Sequence, residues 1–167
     1  MKCSGSYVFF ILFLVLSWQS LAWDKRHMVA GNVNSEVITF AKQDWTFFLG
    51  GSYGYLVSKK IQIEQTFNYV RSEQLDSLNF LTGITYNFST EINKSFFASG
   101  LIGMGYSKWR WSSYSNTDGL YTLRLGKRFA LAENISWNLF VEYKDYFESY
   151  LDLGHWSFHL FSMSVYF

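Results

Sequence analysis

Residues 45–69 read WTFFLGGSYGYLVSKKIQIEQTFNY, and large and small side chains alternate on both sides of one tight turn in this stretch. Large side chains occupy nearly every second position around 58–60: Trp45, Phe47, Leu49, Tyr53, Tyr55 and Val57 before the turn, and Ile61, Ile63, Phe67 and Tyr69 after it. An antiparallel register that pairs Val57 with Ile61 places both large sets on one side of the ribbon. The stretch therefore predicts a hairpin with one apolar face and one small or polar face.

The same alternation recurs in two further hairpins, which turn at 89–94 and at 130–134. A weaker first strand within about 27–40 and a last strand over about 156–167 bring the predicted number of strands to eight, each roughly 10 to 13 residues long. The connections at 71–77, 107–118 and 147–154 are longer or more polar than the turns, and we expect them at the opposite end. The connection at 41–44 is the short exception.

The composition favours lipid as the outer solvent of these strands. Aromatic residues make up 22% of the chain and charged residues 16%, with no proline. A narrow eight-stranded barrel cannot hold its large side chains inside, so they are expected to point outward: Phe47, Tyr55, Ile63, Phe67, Phe80, Tyr86, Leu123, Trp137 and Val141. We predict an all-β, eight-stranded antiparallel up-and-down transmembrane barrel. The formal net charge of +1 gives no reason to expect a nucleic-acid partner.

The first 22 residues are predicted to be a cleaved signal peptide. Lys2 gives the positive start, 8–16 is an apolar run, and Ser20-Leu21-Ala22 is a small-x-small cleavage site. The barrel domain would then be residues 23–167. Cys3 would leave with the signal, so the exported protein would have neither a thiol nor a disulfide.

The last strand carries the most specific motif. Phe161, Met163, Val165 and Phe167 alternate with smaller or polar residues up to the final aromatic residue. This pattern resembles the C-terminal insertion signal of outer-membrane β-barrels, and the whole predicted barrel is similar to the small OmpA/OmpX-type barrels. The resemblance implies residence in outer-membrane lipid and recognition by the barrel-assembly machinery during insertion.

Charged side chains are expected in the lumen. The register of the third hairpin places Arg124 opposite Glu142, and Arg128 opposite Asn138, all on the inner face. We predict an Arg124–Glu142 ion pair with Glu64 as a further partner, forming a luminal charge cluster with Arg128. The cluster would either plug the channel or form a gate or ion path.

Two weak motifs point to lipid chemistry. His155 and Ser157 lie two residues apart near the outer rim, and His159 continues their face. They resemble the His-x-Ser of lipid A deacylases, although Phe158 departs from that pattern. Asp76-Ser77 with His27 is similar to an outer-membrane palmitoyltransferase. No cysteine or histidine cluster has metal-ligand spacing, and no cofactor is expected.

The expected function is a non-enzymatic outer-membrane barrel with a plugged interior and a structural or surface-interaction role. The connection from Ser107 to Asp118 carries Trp109, Trp111 and Tyr114, which we expect to contact a surface partner. A lipid A-modifying enzyme and a narrow small-solute pathway are the alternatives. A barrel of eight strands is too thin for a general porin.

Overall fold

A computed structural model describes residues 26–34, 46–73, 75–112, 114–147 and 154–167. These residues form eight strands in one closed antiparallel barrel, in which each strand pairs with its neighbour in sequence and β1 closes against β8. The strands are β1 (His27–Asn34), β2 (Thr46–Leu56), β3 (Ile61–Ser72), β4 (Leu75–Asn87), β5 (Phe96–Trp109), β6 (Ser115–Ala132), β7 (Ile135–Tyr146) and β8 (His155–Tyr166). The predicted up-and-down barrel is confirmed.

The registers follow from the alternation of side chains. Tyr55 lies opposite Ile63, and the backbone N–H of Val57 donates to the carbonyl of Ile61 over 3.0 Å. Along β3 exposed and buried residues alternate from Ile61 to Asn68, with the large side chains outward. Most side chains on the inner face are polar or small, as the sequence predicted, but large apolar ones such as Leu81, Leu101 and Phe140 are also buried there. Among the described residues, no helix is long and apolar enough to cross a membrane.

The two ends of the barrel differ. We call the end that holds turns 57–60, 88–95 and 133–134 the turn end, and the opposite end the loop end. Arg26 and Phe167 also lie at the turn end, where His27 and Phe167 exchange two backbone hydrogen bonds of 2.9 and 3.0 Å. A short 3₁₀ helix, Ile92–Lys94, lies within the second of these turns.

Two connections at the loop end lie where the sequence predicted them but are shorter, because the strands extend into the predicted ranges. Residues 71–77 are mostly strand: β3 runs to Ser72, β4 starts at Leu75, and Arg71 pairs with Asp76. In 107–118, only 110–114 lie outside β5 and β6. The predicted short connection at 41–44 lies outside the described residues, as do 148–153.

Strand β8 contains an irregularity that the sequence analysis missed. Its register against β7 shifts between Asn138 and Phe140, so that β8 has one extra residue there. Leu160 and Phe161 are consequently both exposed on the outer surface, although they are adjacent in sequence. This is the pattern of a β-bulge, and two consecutive large apolar residues in an alternating strand are its sequence signal.

The predicted signal peptide, 1–22, lies outside the described residues. The division into a signal and a 23–167 barrel domain therefore stays a prediction.

Candidate functional sites: the luminal charge cluster and the loop-end hairpin

The luminal charge cluster is built from three facing strands. Arg124 on β6 donates from Nε to Glu142 Oε2 over 2.5 Å and from Nη1 to Glu64 Oε1 over 3.0 Å. All three side chains are buried. Arg124 and Glu142 are direct cross-strand partners, whereas Glu64 on β3 reaches them across the lumen. The structure thus brings together three of the four charged residues assigned to this cluster.

Hydroxyl groups surround the carboxylates. Thr85 Oγ1 donates to Glu64 Oε2 over 2.7 Å, and Thr66 Oγ1 lies 3.3 Å from Glu64 Oε1. Ser99 Oγ is 2.7 Å from Thr85 Oγ1 and extends the network to β5. Charges buried in a barrel are tolerated when hydrogen bonds satisfy them in this way.

Arg128 lies apart from the carboxylates. Its guanidinium donates to Asn87 Oδ1 and stands 4.5 Å from the centre of the Phe97 ring. Asn138, its cross-strand partner, instead donates to Ser162 and Ser164 on β8. The fourth predicted member therefore belongs to a separate polar network closer to the turn end.

Two apolar layers flank the charge cluster. On the loop side, Leu81, Leu101 and Leu120 pack together with at most 1% of their surface exposed, and Tyr146 packs against them. At the turn end, Met28, Ala30 and Tyr166 form a second cluster. The charges of Arg124 and its partners thus lie between two apolar layers. Alternation along the strands does not predict these layers, because their members are isolated apolar residues on otherwise polar faces.

Outside the turn-end apolar layer lies a cavity of about 650 Å³, lined by Leu56, Ile92 and Tyr166 and by charged residues of both signs from the turns.

His159 faces the lumen on the same face of β8 as Ser157. It is 1% exposed and stacks on the Phe140 ring with centroids 4.3 Å apart. Ser157 Oγ lies 3.3 Å from His159 Nε2, and Glu142 Oε1 lies 4.0 Å from the same nitrogen. In a serine–histidine relay the carboxylate orients the histidine through the other ring nitrogen, so these three groups do not have relay geometry.

The backbone of His155 lies opposite Lys144, and its side chain is outside the described part of the chain. The companion motif is dispersed: Ser77 Oγ faces Asn79 inside the barrel, Asp76 pairs with Arg71, and His27 lies at the opposite end beside Tyr53. Within the described ranges, no group of three or more His, Asp or Glu residues could hold a metal ion.

The loop-end hairpin, residues 107–118 of β5 and β6 with their connection, projects aromatic side chains from the barrel. Trp111 is 83% exposed, Tyr114 61% and Trp109 42%. Trp109 ends β5, and its N–H donates to the carbonyl of Tyr114 over 3.2 Å, which holds the tip together. Lys108 and Arg110 are also exposed. The three predicted contact residues thus share one exposed tip.

The predicted insertion motif forms the lipid-facing edge of β8. Phe161, Met163 and Val165 are exposed on the outer surface, and Phe167 stacks on His27 with ring centroids 5.8 Å apart. Its role in insertion stays a prediction.

Together, the closed barrel, the apolar exterior and the polar interior define an integral membrane barrel of the bacterial outer-membrane type. The sequence matches no protein-family model and no curated protein.

Three solved structures share the fold. The N-terminal β-barrel domain of Pseudomonas aeruginosa OprF is 12% identical with a TM-score of 0.62, covering 86% of this chain and 98% of that one. Neisserial surface protein A is 10% identical with a TM-score of 0.60, covering 85% and 95%. The Yersinia pestis outer membrane protein Ail, in a phospholipid bilayer nanodisc, is 16% identical with a TM-score of 0.58, covering 86% and 100%.

Proposed function

We propose that this chain is a non-enzymatic protein of the bacterial outer membrane that has a closed interior and binds a surface partner through its loop-end hairpin. The observation that carries the proposal is the exposed tip with Trp111, Tyr114 and Trp109. Trp111 and Tyr114 lie outside the strands and are more than half exposed, and Trp and Tyr are among the residue types most enriched where proteins bind partners.

The hairpin is also rigid enough to present them. β5 and β6 pair without interruption from Phe96–Lys127 to Lys108–Ser115. Near the tip, Asn116 donates to both carboxylate oxygens of Asp118 at 2.9 and 2.8 Å. A preorganised tip loses less conformational entropy on binding than a flexible loop does.

The closed interior argues against transport. A solute would have to pass the Leu81–Leu101–Leu120 layer, the charge cluster of Arg124 and the apolar cluster at the turn end. The cluster therefore fills the lumen, and its charges are satisfied locally.

The lumen also argues against lipid A chemistry. Ser157 is directed toward His159 inside the barrel, on the side away from lipid. A lipid ester would have to enter the lumen to reach its hydroxyl group.

Two of the similar structures are of proteins described as a surface protein and an outer membrane protein. The similarity to these barrels supports a location in the outer membrane, where the loop-end hairpin would face the cell exterior. The aromatic end of β8 fits recognition by the barrel-assembly machinery during insertion.

The test is binding by the barrel in lipid nanodiscs to an array of immobilised glycans and purified cell-surface polysaccharides. The wild type should bind at least one probe, and replacing Trp109, Trp111 and Tyr114 by serine should weaken that binding at least about tenfold. A matched control replaces Phe129 and Leu131, which are exposed near the turn end, by serine and should bind normally. Binding that survives loss of the tip aromatics contradicts the proposal, and no binding by the wild type to any probe contradicts a carbohydrate partner.

A further inference from the structure

A row of hydrogen-bonding side chains crosses the lipid-facing surface of three neighbouring strands. Tyr53 on β2 lies opposite Gln65 on β3, and Gln65 lies opposite Thr82 on β4. All three are exposed on the outer surface. Amide and hydroxyl groups are out of place on a surface that is otherwise built for hydrocarbon. We call Tyr53, Gln65 and Thr82 the polar row.

The polar row lies within the apolar band. Ile63 and Phe67 flank Gln65 on the same face of β3, and Phe80 and Ile84 flank Thr82 on β4; all four are exposed. Gln65 is four residues from the first residue of β3, roughly 13 Å along the strand. A glutamine side chain is too short to reach the headgroup region from there.

Of the three side chains in the polar row, only Tyr53 has a hydrogen-bond partner among the described residues. Tyr53 Oη is 2.6 Å from His27 Nδ1. Across the described residues, by contrast, the side chains of Gln65 and Thr82 make no hydrogen bond. Acyl chains have no donors or acceptors, so these groups gain hydrogen bonds only from another polar surface inside the membrane.

We propose that the polar row is the contact surface for a second copy of this chain in the membrane. Two copies inserted in the same direction are related by a two-fold axis along the membrane normal, so the central residue meets itself. Gln65 then pairs with Gln65 of the second copy, because an amide both donates and accepts. Thr82 lies beside this pair and offers a further hydroxyl group, which can both donate and accept.

The width of the row fits this arrangement. Two convex barrels touch only along a narrow strip, and three adjacent strands spaced about 4.8 Å apart span such a strip. Ile63 and Phe67 lie on the same strip above and below Gln65, so they would pack against their own copies.

Cysteine cross-linking in membranes tests the contact. In a Cys3→Ser background, Phe67→Cys should form a disulfide-linked dimer on mild oxidation. Leu123→Cys is the matched control, since Leu123 is 55% exposed, as against 50% for Phe67, but lies on β6 on the far side of the barrel. The yield at position 67 should exceed that at position 123 several-fold.

A second substitution tests whether the amide drives the contact. Adding Gln65→Leu to Phe67→Cys should lower the cross-linked yield by roughly fivefold, while Gln65→Asn should retain most of it. Leucine suits the lipid face, so the barrel should still fold, and its heat-modifiable gel mobility checks this. Equal yields at positions 67 and 123, a yield unaffected by Gln65→Leu, or cross-linking only to a protein of another mass would overturn the proposal.

Discussion

Arg124 is the residue on which the luminal charge cluster depends, because its guanidinium is hydrogen-bonded to both Glu64 and Glu142. Replacing it with methionine leaves two carboxylates buried and close together without a cation. We expect Arg124→Met to lower the free energy of unfolding by about 3 to 5 kcal/mol. Urea unfolding of the barrel in lipid vesicles, followed by tryptophan fluorescence, measures the change.

The control removes all three charges. Arg124→Met combined with Glu64→Gln and Glu142→Gln leaves no unpaired charge, so most of the lost stability should return. If Arg124→Met lowers the free energy of unfolding by less than about 1 kcal/mol, the three charges behave as exposed ion pairs and do not form a buried network.

Gly103 is required by the close approach of β4 and β5. A Cβ atom there would overlap the carbonyl oxygen of Phe80 and the Cα of Leu81, which are both backbone atoms. Gly103→Ala should therefore lower the free energy of unfolding by about 1 to 3 kcal/mol. Gly31→Ala is the matched control, since a Cβ at Gly31 meets nothing within 4 Å and should be nearly neutral. If the two alanine substitutions lower the free energy of unfolding equally in the same urea assay, the close approach of β4 and β5 is not the reason for glycine at position 103.

At the scale of strands, alternation predicts structure well only where the two faces meet different solvents. β3 alternates strictly from Ile61 to Asn68, and both its face and its register were predicted correctly. Residues 107–109 and 115–118 were assigned to a loop although they pair as strand. Beyond the membrane both faces of a strand meet water, so the hydrogen-bonded ladder continues while the apolar signal disappears.

The bulge in β8 leads to a prediction about chain length. Deleting Leu160 restores alternation from Trp156 to Val165 and removes the extra residue opposite β7, so the barrel should still form. Deleting Val141 from the regular part of β7 should prevent folding, because Glu142 and every second residue after it would turn toward lipid. Heat-modifiable gel mobility distinguishes the outcomes. Loss of the folded band on deletion of Leu160 would show that the bulge itself is needed.

At the scale of the whole barrel, sequence reasoning identified contacts within a hairpin more readily than contacts across the lumen. Arg124 opposite Glu142 follows from a single turn. The stacking of His159 on Phe140 and the meeting of Leu81, Leu101 and Leu120 depend on barrel curvature and on the bulge of β8, neither of which a hairpin register contains.

The proposed closed interior has a consequence that is measurable on single molecules. In planar bilayers the wild-type barrel should show no large, steady conductance, because two apolar layers and the charge cluster of Arg124 lie in series along the lumen. Replacing Leu81, Leu101 and Leu120 by serine removes only the loop-side layer, so conductance should stay low. Conductance should rise only when the other two obstacles are also removed. This requires small polar residues in place of Met28 and Tyr166, and serine in place of Arg124, Glu64 and Glu142. A large, steady current through the wild type would mean that ions pass the charge cluster and that the interior is a pathway.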